Sequence, residues 1–256
     1  VLFRSDPGKV REQAVEGIEN FGSELGAEEF LYLEAWASRG KERMAACEKA
    51  LQRRPHFARI YFLRGMSFTR SGEPDKAIDD YTRAVEINPK YREAFNNRGL
   101  ARAKQNDLDG AIEDFTQTTR IYPDAAPAYV NRAGARIRKG DREGGMKDFE
   151  EALRINPKGV SIYLSRAMIL RKEGNREGAS RDLDKAIECD NASFQAYFYR
   201  AALRREEGKF DGAIEDNHVC SGLVPGEAVG PVPLLSSIIV VSIAGMERFI
   251  RRLINP

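Results

Sequence analysis

A period of 34 residues constrains the fold of this chain more than any other feature. Residues 58–91 and 92–125 carry the same landmarks when one segment is laid over the other. A residue near the end of each segment recurs along the chain as Pro55, Pro89, Pro123, Pro157, Asn191 and Pro225. A period of this length that holds over several steps is typical of a repeat array, in which each unit buries its apolar face only against its neighbours.

The period divides the chain into about six repeat units with flanking segments. The regular units cover residues 58–91, 92–125, 126–159, 160–193 and 194–227, the last being degenerate at its end. Residues 24–57 form an atypical first unit, because Gly40 lies two positions beyond the turn place of the later units. We expect a leading helix over residues 6–23 and a divergent apolar tail over residues 228–256.

The first five residues, VLFRS, have the sequence that the end of a common sequencing adapter encodes in one reading frame. We interpret residues 1–5 as non-native and exclude them from the fold argument. The natural N-terminus is then expected to lie further upstream, so the lack of a secretory signal is weak evidence about targeting.

Each regular unit predicts two helices joined by a tight turn. The fifteenth place of the five units holds Gly72, Asn106, Gly140, Gly174 and Gly208. Gly and Asn tolerate the left-handed backbone that ends a helix, so the first helix of each unit ends there. The second helix begins at Pro74, or after a cap at Asp107, Asp141 or Asn175. The eighth place is Gly or Ala throughout, which allows two helices to approach closely.

Spacing, turn residues, small residues and closing prolines together resemble the tetratricopeptide repeat over residues 24–227. This resemblance implies an all-α fold, a right-handed α-solenoid (superhelix) of antiparallel helix pairs. It also implies a protein–protein interaction scaffold, whose first helices line a concave groove that binds a peptide segment or a partner protein.

A repeated departure from the family pattern replaces Leu at the seventh place and Tyr at the twenty-third. The seventh place holds Arg64, Arg98, Arg132, Arg166 and Arg200, and the twenty-third holds Asp80, Asp114, Asp148, Asp182 and Asp216. The planar guanidinium fork can bind a carboxylate through two hydrogen bonds, so we predict a structural ion pair in every unit. The alternative, that the arginines bind an acidic ligand, would require five equivalent contacts.

The resemblance places groove residues on the first helices, including the fifth, sixth and ninth places. The candidate peptide groove is Phe62, Leu63, Met66, Asn96, Asn97, Leu100, Val130, Asn131, Leu164, Ser165, Met168, Phe198 and Tyr199. Asn side chains can bond donors and acceptors of a ligand backbone, and apolar side chains can anchor it. The alternative is that these residues pack against neighbouring units or the tail.

A basic row at the thirteenth place forms a candidate groove edge, with Arg70, Lys104, Arg138 and Lys172. It suggests a partner with acidic as well as apolar residues, although cations in the last turn also oppose the helix dipole. Family members that hold the acidic C-terminus of a chaperone use a carboxylate clamp. In the two registers tested, only the middle Asn of that clamp is present, as Asn97 or Asn131, so this partner is not expected.

Charge, cysteine spacing and the lack of a recognisable catalytic arrangement predict a protein that is not an enzyme. With 41 basic and 39 acidic residues, the formal charge of +2 gives no general attraction to nucleic acid. Cys47, Cys189 and Cys220 lack metal-ligand spacing and indicate a reducing compartment, so we expect a cytoplasmic location. No Ser–His–Asp or Cys–His arrangement is recognisable, and we predict no catalytic residue, no metal and no cofactor.

The apolar run LLSSIIVVSIAGM at Leu234–Met246 has three interpretations. A terminal helix could cover the apolar face of the last unit, as repeat arrays require. Residues 234–253 could instead anchor a membrane-tethered assembly factor, although the run is shorter than the roughly 20 residues of a membrane-spanning helix. A reading-frame error could also account for part of it.

Overall fold

The computed structural model describes residues 27–223, and this range is all-α. It contains twelve helices and no β-strand. The helices are α1 (Ala27–Ala37), α2 (Gly40–Arg53), α3 (Ala58–Ser71), α4 (Pro74–Ile87), α5 (Arg92–Lys104), α6 (Leu108–Ile121), α7 (Ala126–Lys139), α8 (Arg142–Ile155), α9 (Val160–Lys172), α10 (Arg176–Cys189), α11 (Phe194–Glu206) and α12 (Phe210–Leu223).

The helices form two structural units, with the boundary between Lys158 and Gly159. In the first structural unit, α1 to α8 pack in chain order. In addition, α1 contacts α3, and α5 contacts α7. In the second unit, α9 to α12 pack in the same order, and α9 contacts α11. Within each unit the helices are stacked as pairs, and the predicted all-α repeat solenoid is confirmed.

The turn residues end the first helices as the sequence predicts. Gly72, Asn106 and Gly140 have φ angles of 76°, 67° and 102° in the first unit. Gly174 and Gly208 have φ angles of 81° and 74° in the second. These are left-handed conformations, which cost little for Gly and are tolerated by Asn.

Three of the second helices begin with the predicted side-chain caps. The amide nitrogens of Gly110 and Gly144 donate to Asp107 Oδ1 and Asp141 Oδ1 over 3.0 and 2.9 Å. In the second unit, Asn175 accepts the same bond from the amide of the residue three positions on. Each cap satisfies one of the amides that a helix start leaves without a partner.

A buried ring of the second helix explains why the eighth place is small. A Cβ atom added to Gly65 would lie 2.8 Å from Tyr81 Cε1, and one added to Gly99 would lie 2.8 Å from Phe115 Cε1. Tyr81 and Phe115 are both buried. The ring therefore occupies the space that a side chain at the eighth place would fill.

Several expectations fall on residues outside the described range. These are the non-native start (1–5), the leading helix (6–23) and the tail (228–256) with its possible anchor (234–253). Within residues 27–223, no helix combines the length and the apolar character that crossing a membrane requires.

Candidate interaction site

Each seventh-place arginine binds the twenty-third-place aspartate of its own repeat through two nitrogens, Nε and Nη2. In the first unit, Arg64 Nε donates to Asp80 Oδ2 over 2.8 Å and Arg64 Nη2 donates to Asp80 Oδ1 over 2.7 Å. The other four pairs are Arg98–Asp114, Arg132–Asp148, Arg166–Asp182 and Arg200–Asp216. The aspartates are buried and the arginines half-buried, so these charges stay paired inside the helix stack.

Arg98, Arg132 and Arg200 also bond to the preceding helix pair, a contact that the repeat pattern does not predict. Arg98 Nη1 donates to Thr82 Oγ1 over 3.1 Å, and Arg132 Nη1 donates to Thr119 Oγ1 over 2.9 Å. In the second unit, Arg200 Nη1 donates to Asp184 Oδ1 over 2.6 Å. A polar residue 16 positions before these arginines was the available signal, since Thr82, Thr116 and Asp184 all occupy that place.

A second arginine joins three of the five pairs. Arg102 Nη1 donates to Asp114 Oδ2 over 3.1 Å, and Arg136 Nη1 donates to Asp148 Oδ2 over 2.9 Å. Arg204 makes the equivalent bond in the second unit. These carboxylates each lie between two guanidinium groups, so they have no free edge for a ligand.

The electrostatics of Arg200 reflect this pairing. Burial opposes its positive charge, but hydrogen bonds with Asp216 and Asp184 hold the pKa of Arg200 above its usual value. At Arg64, the hydrogen bond with Asp80 is the main reason that its pKa is raised. The arginines are therefore committed to partners within the chain.

The candidate groove residues of α3 are packed rather than open. Leu63 is only 2% exposed and lies in a core cluster with Leu31 and Ile60, against which Met66 also packs. The Phe62 ring lies 5.0 Å from that of Tyr91, centroid to centroid. For α3 the structure therefore places Leu63 in the core, because the large side chains of α1 occupy the adjacent space.

The candidate residues of α5 and α7 instead form a half-open face, which we call the α5–α7 face (Asn96, Asn97, Leu100, Val130 and Asn131). Asn131 Nδ2 donates to Asn96 Oδ1 over 2.9 Å across the two helices. Leu100 is 45% exposed, and the other four residues are half-buried.

A polar network extends from this face toward the core. Burial raises the pKa of Tyr81, while hydrogen bonds with Thr69 and Asn97 partly offset that rise. The Tyr81 hydroxyl lies 2.9 Å from Thr69 Oγ1. Asn97 is therefore linked to a buried ring that also fills the core.

In the second unit, the candidate residues form a more apolar surface. Met168 is 49% exposed and Phe198 is 50% exposed. The Phe198 ring stacks on that of Phe194 at 5.9 Å and meets the edge of Tyr199 at 5.8 Å. Leu164 and Ser165 are half-buried, and Ser165 Oγ donates to the carbonyl of Ser161.

The basic row divides between paired and open side chains. Arg138 Nη2 donates to Asn106 Oδ1 over 3.2 Å, so the Arg138 side chain is bonded to the turn of the preceding helix pair. Arg70, Lys104 and Lys172 are exposed. Of the four, Arg138 thus fits the structural alternative best.

Helix pairs of 34 residues that stack in chain order, with left-handed turn residues, define an α-solenoid repeat protein. Tetratricopeptide repeat family models match residues 58–91 and 96–160. These residues are tetratricopeptide repeats, and the described helix pairs on either side of them have the same helix–turn–helix architecture.

Solved structures share this fold at low sequence identity. A tetratricopeptide repeat protein from Parabacteroides merdae is 20% identical with a TM-score of 0.62, covering 86% of this chain and 82% of that one. PilF from Pseudomonas aeruginosa is 18% identical with a TM-score of 0.58, covering 86% and 95%. MamA is 18% identical with a TM-score of 0.53, covering 70% and 97%. The search of curated proteins gives no match.

Proposed function

We propose that the chain is a non-catalytic scaffold that binds an extended peptide segment of a partner protein across the α5–α7 face. Tetratricopeptide repeat proteins bind other proteins or peptides, and this fold suits such a role. The expected partner segment is apolar with acidic residues, and no cofactor takes part.

The hydrogen bond between Asn131 and Asn96 is the observation that carries this proposal. A primary amide offers two N–H donors and an oxygen with two lone pairs, and this bond uses one donor of Asn131. The remaining groups of both half-exposed amides can bond the N–H and C=O of an extended backbone. Because the two amides orient each other, little side-chain entropy is lost when a ligand binds.

Leu100 supplies the apolar part of the same face. It is among the most exposed large apolar side chains of the described residues, and it lies one turn beyond Asn96 on α5. An exposed Leu beside oriented polar groups suits an anchor for one apolar ligand side chain. The exposed rings of α11 provide a second apolar surface in the other structural unit.

Selection from a phage-displayed library of random 12-residue peptides tests the proposal. The full chain should enrich peptides, and the dissociation constant of the best one can be measured by fluorescence anisotropy. Asn96→Ala combined with Asn131→Ala should weaken that binding about tenfold, since each lost hydrogen bond contributes roughly 0.5–1.5 kcal/mol.

Asn88→Ala combined with Asn156→Ala is the matched control. It removes two exposed amides from the ends of second helices and should leave the affinity unchanged. Equal affinities for the α5–α7 double variant and the unmodified chain, at equal helicity, would show that this face is not the binding site.

A further inference from the structure

A cavity of about 460 Å³ lies between α1, α2 and α3, away from the α5–α7 face. Its volume falls within the range of about 300–1,000 Å³ that is usual for ligand sites. The residues that matter here are Trp36, Leu63 and Met66 on the floor, with Arg39, Arg43 and Arg70 around them.

The floor of the cavity is apolar and well supported. Leu63 belongs to the core of this helix pair, and Trp36 and Met66 are half-buried against that core. A bulky apolar side chain placed in the cavity would therefore contact mainly Trp36 and Met66, with Leu63 buried beneath them.

Arg43 fixes the turn on which the cavity is built. Its Nε donates to the Ser38 carbonyl over 2.9 Å, and its Nη2 donates to the Trp36 carbonyl over 3.0 Å. The turn also needs Gly40, whose φ angle is 53°. Trp36 at the end of α1 and Arg39 in the connection are thus held next to each other by this short turn.

The three guanidinium groups all line this cavity and bring three positive charges to it. Within the described part of the chain, neither an ion pair nor a side-chain hydrogen bond links Arg39, Arg43 or Arg70 to a carboxylate. Burial lowers the pKa of Arg43, and the charges of Arg70 and Arg39 lower it further. The site therefore favours an anion that would offset this repulsion.

We infer that this cavity binds a peptide in which an acidic side chain is adjacent to a bulky apolar one. The carboxylate would accept hydrogen bonds from Arg39 and Arg70, and the apolar side chain would lie on Trp36 and Met66. Arg suits this role because its planar fork binds a carboxylate through two hydrogen bonds. The inference rests on the proposed function and adds a second contact point for the same class of partner.

The indole of Trp36 is the best reporter of occupancy, because the chain contains 1 Trp. Peptides without Trp are selected on the full chain from the same 12-residue library and titrated while Trp36 emission is recorded. The expected result is enrichment of Glu or Asp next to a large apolar residue. We also expect a saturable blue shift of Trp36 emission as the ligand displaces water.

Arg39→Gln combined with Arg70→Gln is the test variant, since both side chains are exposed and Arg43 keeps the turn intact. It should weaken binding at least tenfold, so the Trp36 emission shift should appear only at correspondingly higher peptide concentrations. Arg176→Gln combined with Arg205→Gln removes the same charge from exposed positions of the second structural unit, outside the basic row, and should change neither the affinity nor the Trp36 emission.

Each of the following results would overturn the inference. Enriched peptides without an acidic–apolar pair, or binding without a Trp36 shift, would exclude the cavity as the site. Unchanged peptide affinity for the Arg39/Arg70 variant would show that these arginines do not bind the acidic side chain. Peptides that need Asn96 and Asn131 but not the arginines would leave the proposed function standing, whereas no enrichment at all would contradict both.

Discussion

Arg98 binds the fully buried carboxylate of Asp114 through Nε and Nη2, and its remaining nitrogen, Nη1, reaches Thr82 of the preceding helix pair. Both partners lie 16 residues away, in opposite directions along the chain. One side chain therefore connects α4, α5 and α6. An apolar pair at these places would pack the two helices of one unit but would form no polar bond between consecutive units.

Replacing Arg98 with Lys tests whether the fork geometry matters beyond the charge. Lys keeps the positive charge but cannot bond Asp114 and Thr82 at the same time, because it is a point donor rather than a planar fork. We expect Arg98→Lys to lower the free energy of unfolding by about 1–3 kcal/mol. Urea unfolding followed by circular dichroism measures this change.

A double-mutant cycle with Thr82→Val isolates the bond between units. Thr82→Val should cost less in the Arg98→Lys background than in the unmodified chain, since the bond to Arg98 is already lost there. Its other bond, from Thr82 Oγ1 to the Ile78 carbonyl, is the same in both backgrounds. Identical costs would mean that Arg98 and Thr82 are not coupled.

The number of arginines around each aspartate predicts how much a Leu substitution destabilises. Within the described residues, Arg64 is the guanidinium partner of Asp80, so Arg64→Leu should cost roughly 3–5 kcal/mol by leaving a buried charge alone. Arg132→Leu should cost less, because Asp148 keeps its bond from Arg136. Adding Asp80→Tyr should recover much of the loss in the Arg64 variant. Equal losses for the two Leu variants would refute this account.

The repeat itself made most of the fold predictable. Gly72, Asn106 and Gly140 end their helices with a left-handed backbone conformation. Because this requirement is local, the residue type at the position indicates it. The facing of each seventh-place Arg and twenty-third-place Asp also follows from a fixed separation of 16 residues. Local rules of this kind need no knowledge of neighbouring units.

The candidate site was less predictable, because exposure depends on the size of the neighbours. Leu63 and Leu100 both lie on first helices at places assigned to the groove, yet Leu63 is buried and Leu100 is open. The difference comes from α1, whose Leu31 and Trp36 cover Leu63. The cavity with Arg39 and Arg43 likewise depends on a turn that departs from the repeat, and no periodic pattern indicates it.

The contact between the eighth-place residue and the buried ring gives a further prediction. Gly99→Ala would place its Cβ 2.8 Å from Phe115 Cε1, so we expect a loss of about 1–3 kcal/mol through overpacking. Adding Phe115→Leu should restore part of it, because the unit at 160–193 combines Ala167 with Leu183 at these two places. Thermal unfolding of the single and double variants measures both effects, and an additive loss would contradict the steric explanation.

Two glycines on and just beyond α7 should respond to Ala in opposite directions. Gly140 has a φ of 102°, where an L side chain is strained, so Gly140→Ala should destabilise by roughly 1–2 kcal/mol. Gly134 lies inside the helix with nothing within 4 Å of an added Cβ, so Gly134→Ala should stabilise by about 0.5–1 kcal/mol through helix propensity. The two substitutions add the same methyl group at positions six residues apart, and urea unfolding measures the stability of each variant. Midpoints that shift in the same direction would show that backbone conformation does not decide the outcome.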